Sequence, residues 1–139
     1  MVKAKLTMEK KLKHLEFIQN IITRMNSNSF LIKGWCTTLV SALFALASKD
    51  ANINYVLISY VVFPIFWLLD GFFIAKERQY RDLYKEVTTK KEEDIDFNLD
   101  ATIYNTRRNT WFAGIFSKTL IPFYSISIMT TLIIMFLIK

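Results

Sequence analysis

FLIKGWCTTLVSALFALAS (residues 30–48) and YVLISYVVFPIFWLLDGFFIA (residues 55–75) are two apolar runs joined by the short polar break SKDANIN (48–54). Each matches the ~20 residues an α-helix needs to cross ~30 Å of hydrocarbon. So short a break forces the helices antiparallel, which predicts a transmembrane hairpin. The runs hold one charge each, Lys33 near the start of the first and Asp70 near the end of the second. Both stand equally far from the middle of the break, and at ~1.5 Å of rise per residue they lie at one depth. An isolated charge in a spanning helix costs a few kcal/mol unless it is paired or wetted. Lys33 and Asp70 are therefore expected to form a charge pair, a candidate gate, within or between subunits. The alternative is that each snorkels to the headgroups alone.

Outward from the hairpin, residues 119–138 form a third apolar run flanked by Lys118 and Lys139. Seven Lys and Arg precede or include Lys33, nine lie from Lys76 to Lys118, and the 48–54 break holds only Lys49. The positive-inside rule then puts the N-terminus and the middle segment in the cytoplasm and the C-terminus outside. The expected divisions are a cytoplasmic amphipathic helix at 1–28, the hairpin at 29–75, a cytoplasmic helical extension and linker at 76–117, and a third span at 118–139. An all-α membrane protein is expected. Hydrophobic residues make up 53% of the 139, so an ordinary soluble domain is excluded. The first apolar run follows a charged helical segment and is expected to serve as an uncleaved anchor.

At 6–28, Met8, Leu12, Leu15, Ile18, Ile22 and Met25 recur at steps of three and four, with Phe17 and Ile21 widening the stripe. Lys10, Lys11, Lys13 and Arg24 lie opposite. Such a helix either rests on the anionic leaflet or packs against another helix. NSNS at 26–29 offers cap chemistry between this helix and the first span. In the first span, Gly34, Thr38, Ala42 and Ala45 form a small-residue face suited to close packing. Thr37 and Ser41 beside it are candidates for a hydroxyl-lined pore. Pro64 predicts a kink in the second span. Beyond Asp70 the helical pattern runs on to about residue 90, with Glu77–Arg81 and Arg78–Asp82 at pairing distance. TTKKEEDIDFNLD (88–100) reads as a solvated linker. Arg107 and Arg108, among Tyr104, Trp111, Phe112 and Phe116, read as an interfacial anchor or as a phosphate site.

In the third span Tyr124, Ser127 and Thr131 share a polar stripe, either a packing seam or a pore wall. No nucleophile has a base at hand, and no glycine-rich phosphate loop occurs. The single histidine, His14, sits on a charged helix and the single cysteine, Cys36, within a span. No catalytic residue, metal site or cofactor is expected.

HLEFIQNIITRMNSNSFLIKGW, followed by the hairpin and LLDGFFIAKERQYRDLY, resembles the two-helix SLATT-type effectors of nucleotide-signalled antiphage systems. The likeness rests on the helix–hairpin–helix order and on Asn20, Asn28, Lys33, Gly34, Trp35 and Asp70. The chain also looks like the channel effector of a Hailong-type system, whose partner nucleotidyltransferase makes DNA oligomers. The resemblance implies a pore-forming homo-oligomer that depolarises the membrane when a cytoplasmic nucleotide or oligonucleotide signal changes. Three spans of one short chain cannot enclose a water path, so a pore would lie on a symmetry axis. Lys10, Lys11, Lys13, Arg24, Arg107 and Arg108 are the candidate contacts for the anionic ligand. The competing function is a membrane anchor that recruits a soluble partner through its cytoplasmic helices; a transporter, lacking repeats, ranks last.

Overall fold

A computed structural model describes residues 2–50, 52 and 54–138. Regular structure among the described residues is entirely helical. Helix α1 (Val2–Asp50) runs unbroken for 49 residues, and α2 (Asn54–Thr89) for 36. At ~1.5 Å per residue α1 is some 70 Å long, more than twice a hydrocarbon core. NSNS therefore does not end a helix, and the expected boundary at 28/29 falls inside one. Asn and Ser in a helix interior cost only about 0.5 kcal/mol each, and the Ser29 side chain is used in a tertiary contact described below. Helix α2 passes through Pro64 without interruption and continues well beyond Asp70.

The two helices lie antiparallel along their shared length. Their buried positions, His14, Ile18, Ile22, Ser29, Ile32, Cys36, Val40 and Ala47 on α1, recur at steps of three, four and seven. Those steps trace one ridge, which packs against a matching row on α2 from Val56 to Val87. The hairpin thus has two halves built on one seam. The half near the 48–54 break is apolar; the half near the N-terminus is polar outside and carries a small core of Ile18, Ile22, Leu83, Val87 and Ala101. Helix α4 (Leu120–Ile138) covers the apolar half, with Leu120 and Tyr124 against Cys36, Val40 and Phe63. Among the described residues three helices are long and apolar enough to cross a membrane. Lys139 lies outside the described residues.

Residues 90–118 return along the polar half through three 3-10 turns, Glu92–Asp94, Thr102–Tyr104 and Arg107–Asn109, and the short helix α3 (Trp111–Ile115). The acidic stretch is not a free linker. Glu92 accepts from Thr7 Oγ1 at 3.2 Å, and the Asn98 carbonyl accepts from His14 Nε2 at 2.9 Å. His14 is accordingly fully buried, with the Phe97 ring at 5.4 Å, and is no surface residue. Only Ile18 and Ile22 of the amphipathic stripe are fully enclosed; Met8 and Leu12 stay exposed, because the seam follows the row through His14 instead.

Helix α3 rests directly on the α2 backbone. A Cβ on Gly114 would collide with the Gly71 carbonyl oxygen, and one on Gly71 would meet the Ile115 amide nitrogen at 2.9 Å. Two indoles fasten the contact reciprocally: Trp111 Nε1 donates to Leu68 O and Trp67 Nε1 to Ile115 O, both at 2.8 Å.

Candidate functional site at the Asp70 carboxylate

Asp70 has no solvent exposure. Lys33 Nζ stands 2.6 Å from its Oδ2, Ser29 Oγ donates to Oδ1 at 2.5 Å, and Tyr124 Oη donates to Oδ2 at 3.3 Å. Lys33 also donates to Ser29 Oγ at 2.8 Å. Ser29 and Lys33 share a face because they are one turn apart on α1. Tyr124 is aimed from α4 by stacking on Trp67, with ring centroids 5.3 Å apart and planes 7° from parallel. Each oxygen of a buried carboxylate thus has donors, as the cost of an unpaired buried charge requires. The ammonium keeps 21% of its side-chain surface exposed.

Three long helices converge on this one carboxylate. Separating α1 from α2 would split the ion pair, and lifting α4 would strip the Tyr124 hydrogen bond. Gly71, next in sequence, brings α3 against the same turn. The arrangement can therefore register the relative position of all three helices. Ser29 escaped notice in the sequence because NSNS reads as local cap chemistry, whereas its hydroxyl serves a residue 41 positions away.

The two hydroxyl stripes meet elsewhere. Thr37 and Ser41 of α1, with Ser127, Thr130 and Thr131 of α4, line one open groove of about 180 Å³ on the flank of the apolar half. Thr37 donates to Lys33 O, Ser127 to Phe123 O, Thr130 to Ile126 O and Thr131 to Ser127 O, all within 2.8–2.9 Å. With those donors spent on their own helices, these four hydroxyls keep only acceptor capacity, and Thr131 is fully buried. Tyr124 does not line it: stacking on Trp67 and bonding to Asp70 bury its ring completely. The small-residue face of Gly34, Thr38, Ala42 and Ala45 is exposed among the described residues, because the seam runs through Ile32, Cys36 and Val40.

The six basic ligand candidates do not converge. Lys11 Nζ donates to the carbonyls of Thr88 and Lys90, at 2.9 and 2.8 Å, capping the end of α2. Lys10 and Lys13 border a shallow groove beside Phe97. Arg24 is exposed, as is Arg107, whose φ is 49°. Arg108 reaches Asp82 at 3.3 Å. Of the two expected helical pairs, Arg81–Glu77 forms at 2.7 Å. Arg78 instead donates to the carbonyls of Arg108 and Ala113, at 2.8 and 3.1 Å, leaving Asp82 to Lys85, Arg108 and Asn109. Partial burial pushes the Asp82 carboxyl up, but hydrogen bonds from Asn109 and Lys85 and the Arg108 charge outweigh it and hold it below its usual range.

Among the described residues no three His, Cys, Asp or Glu side chains come together as a metal site. No protein-family model, no curated protein and no solved structure matches the chain.

Proposed function

We propose that this chain is the subunit of a homo-oligomeric ion channel in a bacterial inner membrane, an antiphage effector that depolarises its host when a cytoplasmic nucleotide or oligonucleotide signal changes. One observation carries the reading. Two hydroxyl stripes, far apart in sequence, face a single groove on the apolar half. Each of these hydroxyls is satisfied by its own helix and so is tolerated against lipid, and copies arranged about an axis turn such grooves into a polar wall. A wall of oxygen lone pairs without a carboxylate favours cations weakly.

In this reading the polar half lies in the cytoplasm, as the Lys and Arg count demands. The Asp70 cluster marks its junction with the membrane and acts as the gate. A cytoplasmic signal that shifts α1 against α2, or moves α3, changes the ion pair, and α4 follows through Tyr124.

The test is membrane potential in cells expressing the chain, with the signal-making nucleotidyltransferase both present and absent. Wild type collapses the potential in one of the two conditions. Ser127→Leu/Thr131→Leu and Thr37→Leu/Ser41→Leu, at equal membrane abundance, abolish or permanently fix that response. A potential unmoved by wild type in both conditions replaces the channel by the membrane anchor.

A further inference from the structure

A cleft of about 700 Å³ opens between α1, the polar half of α2 and the returning chain. Five cations line it: Arg78, Arg81 and Lys85 on successive turns of α2, Arg108 from the last 3-10 turn, and Lys118 just before α4. The carboxylates bridged to them are Glu77, which holds Arg81, and Asp82, shared by Lys85 and Arg108. Five cations against two carboxylates leave a surplus of three positive charges. Arg78 bonds only carbonyl oxygens in this surround, so its charge is not neutralised. Tyr84 and Ile22 supply an aromatic and an aliphatic wall. The volume is that of a site for a molecule of nucleotide size. Guanidinium forks and ammonium groups converging on one cleft are the donor set that phosphates recruit.

We propose that this cleft binds the phosphates of a small, multiply phosphorylated ligand, with Arg81, Lys85 and Lys118 as its mobile contacts and Arg78 as its fixed floor. Arg81 and Lys85 expose 59% and 69% of their side chains, so their surface ion pairs to Glu77 and Asp82 are weak enough to yield to a phosphate. The proposal supplies the control site of the channel described above and rests on that reading only for what binding does. The physical route exists: Arg78 holds Ala113 of α3, and α3 lies on Gly71, next to Asp70. Because Lys118 directly precedes a span, the phosphate can come from a soluble molecule or from a lipid headgroup.

Both sources are separated by one titration of the full chain in nanodiscs. Inorganic pyrophosphate and fluorescently labelled ATP are the probes, followed by calorimetry and by polarisation. In phosphatidylcholine discs, saturable binding is expected, weakened about tenfold or more by Arg81→Gln/Lys85→Gln/Lys118→Gln, since charge-assisted hydrogen bonds are the strong ones. All three side chains are exposed, so that variant keeps the fold. Lys49→Gln/Lys91→Gln removes two exposed charges that do not line the cleft and leaves affinity unchanged. Replacing the lipid by phosphatidylglycerol assigns the source: persistent binding marks a soluble ligand, and competitive loss marks a headgroup. Absence of saturable binding in phosphatidylcholine discs, or equal weakening by the Lys49/Lys91 variant, overturns the site. No arm measures conductance, so this outcome is independent of whether the chain is a channel.

Discussion

The two halves of one hairpin hold together by opposite uses of charge. In the apolar half charges are scarce, and the two present find each other: Lys33 and Asp70 pair at 2.6 Å with two hydroxyls completing the shell. In the polar half charges are plentiful, and several of the contacts that fasten it are not ion pairs at all. Lys11 caps the carbonyls at the end of α2, Arg78 holds two carbonyls of the returning chain, and Gln79 reaches Asn109 O at 2.9 Å. Where water is absent, a charge needs a countercharge. Where water is present, an exposed ion pair contributes little, and the salient demand is the unpaired carbonyl at a helix or turn end.

The largest expected effect sharpens that contrast at Asp70. Removing one partner of a buried pair leaves the other uncompensated, typically at about 3–5 kcal/mol. Lys33→Met strands a carboxylate with no exposure, so it should fall at the upper end. Asp70→Leu strands a partly exposed ammonium that can snorkel, so it should cost less, about 2–3 kcal/mol. The double variant recovers most of either loss, as an apolar pair replaces an ionic one. Reversible unfolding in mixed micelles measures the cycle. A coupling near zero between the two positions would mean that the apolar half does not depend on the pair, and the contrast between the halves would collapse.

The next effect tests where the halves are joined. Gly114→Ala places a methyl group against the Gly71 carbonyl, so α3 must shift away from α2, at about 1–3 kcal/mol for an overpacked contact. Gly34→Ala meets nothing within 4 Å in the same chain and should stabilise α1 by up to about 1 kcal/mol through helix propensity. The same micelle titration ranks the two. Equal destabilisation by both would show that the exposed small-residue face is packed, by a second copy, as closely as α3 is packed here.

What could be read from the sequence divides along the same line. The level of Lys33 and Asp70 follows from arithmetic on two apolar runs, because a lone charge in such a run has few solutions. The continuation of α2 beyond Asp70 was legible from its i,i+4 pattern. The polar half was legible mainly as helix. Among 18 Lys and Arg nothing distinguishes Lys11 or Arg78 as carbonyl ligands, since their acceptors are backbone atoms that carry no sequence signature. The basic cleft was missed for a related reason: Arg78 and Arg81 read as pairing partners of Asp82 and Glu77 within one helix, and only the fold brings Arg108 and Lys118 beside them. His14 and Ser29 misled because local chemistry, a charged neighbourhood and a cap motif, was overruled by contacts dozens of residues away.

The smallest effect asks how far the polar half depends on its few charged anchors. Hydrogen bonds from Asn109 and Lys85, with the Arg108 charge, outweigh partial burial and depress the Asp82 carboxyl. Asp96, whose carboxylate accepts from the Asn98 amide, and Asp100, which accepts from Thr102, are held low as well. A group depressed in the folded state contributes stability that is fully present above its unfolded value near 4 and is lost as pH falls through its folded value. Acid should therefore loosen the returning chain. Amide exchange, expressed as protection factors, should show protection over residues 105–116 falling between pH 7 and pH 3. Asp82→Asn should remove that dependence around Asn109 while leaving it at 96–102, where Asp96 and Asp100 act. Protection that holds constant down to global unfolding would mean that the apolar packing of Ile18, Ile22, Leu83 and Val87 alone secures the polar half, and that its charged anchors merely decorate a core.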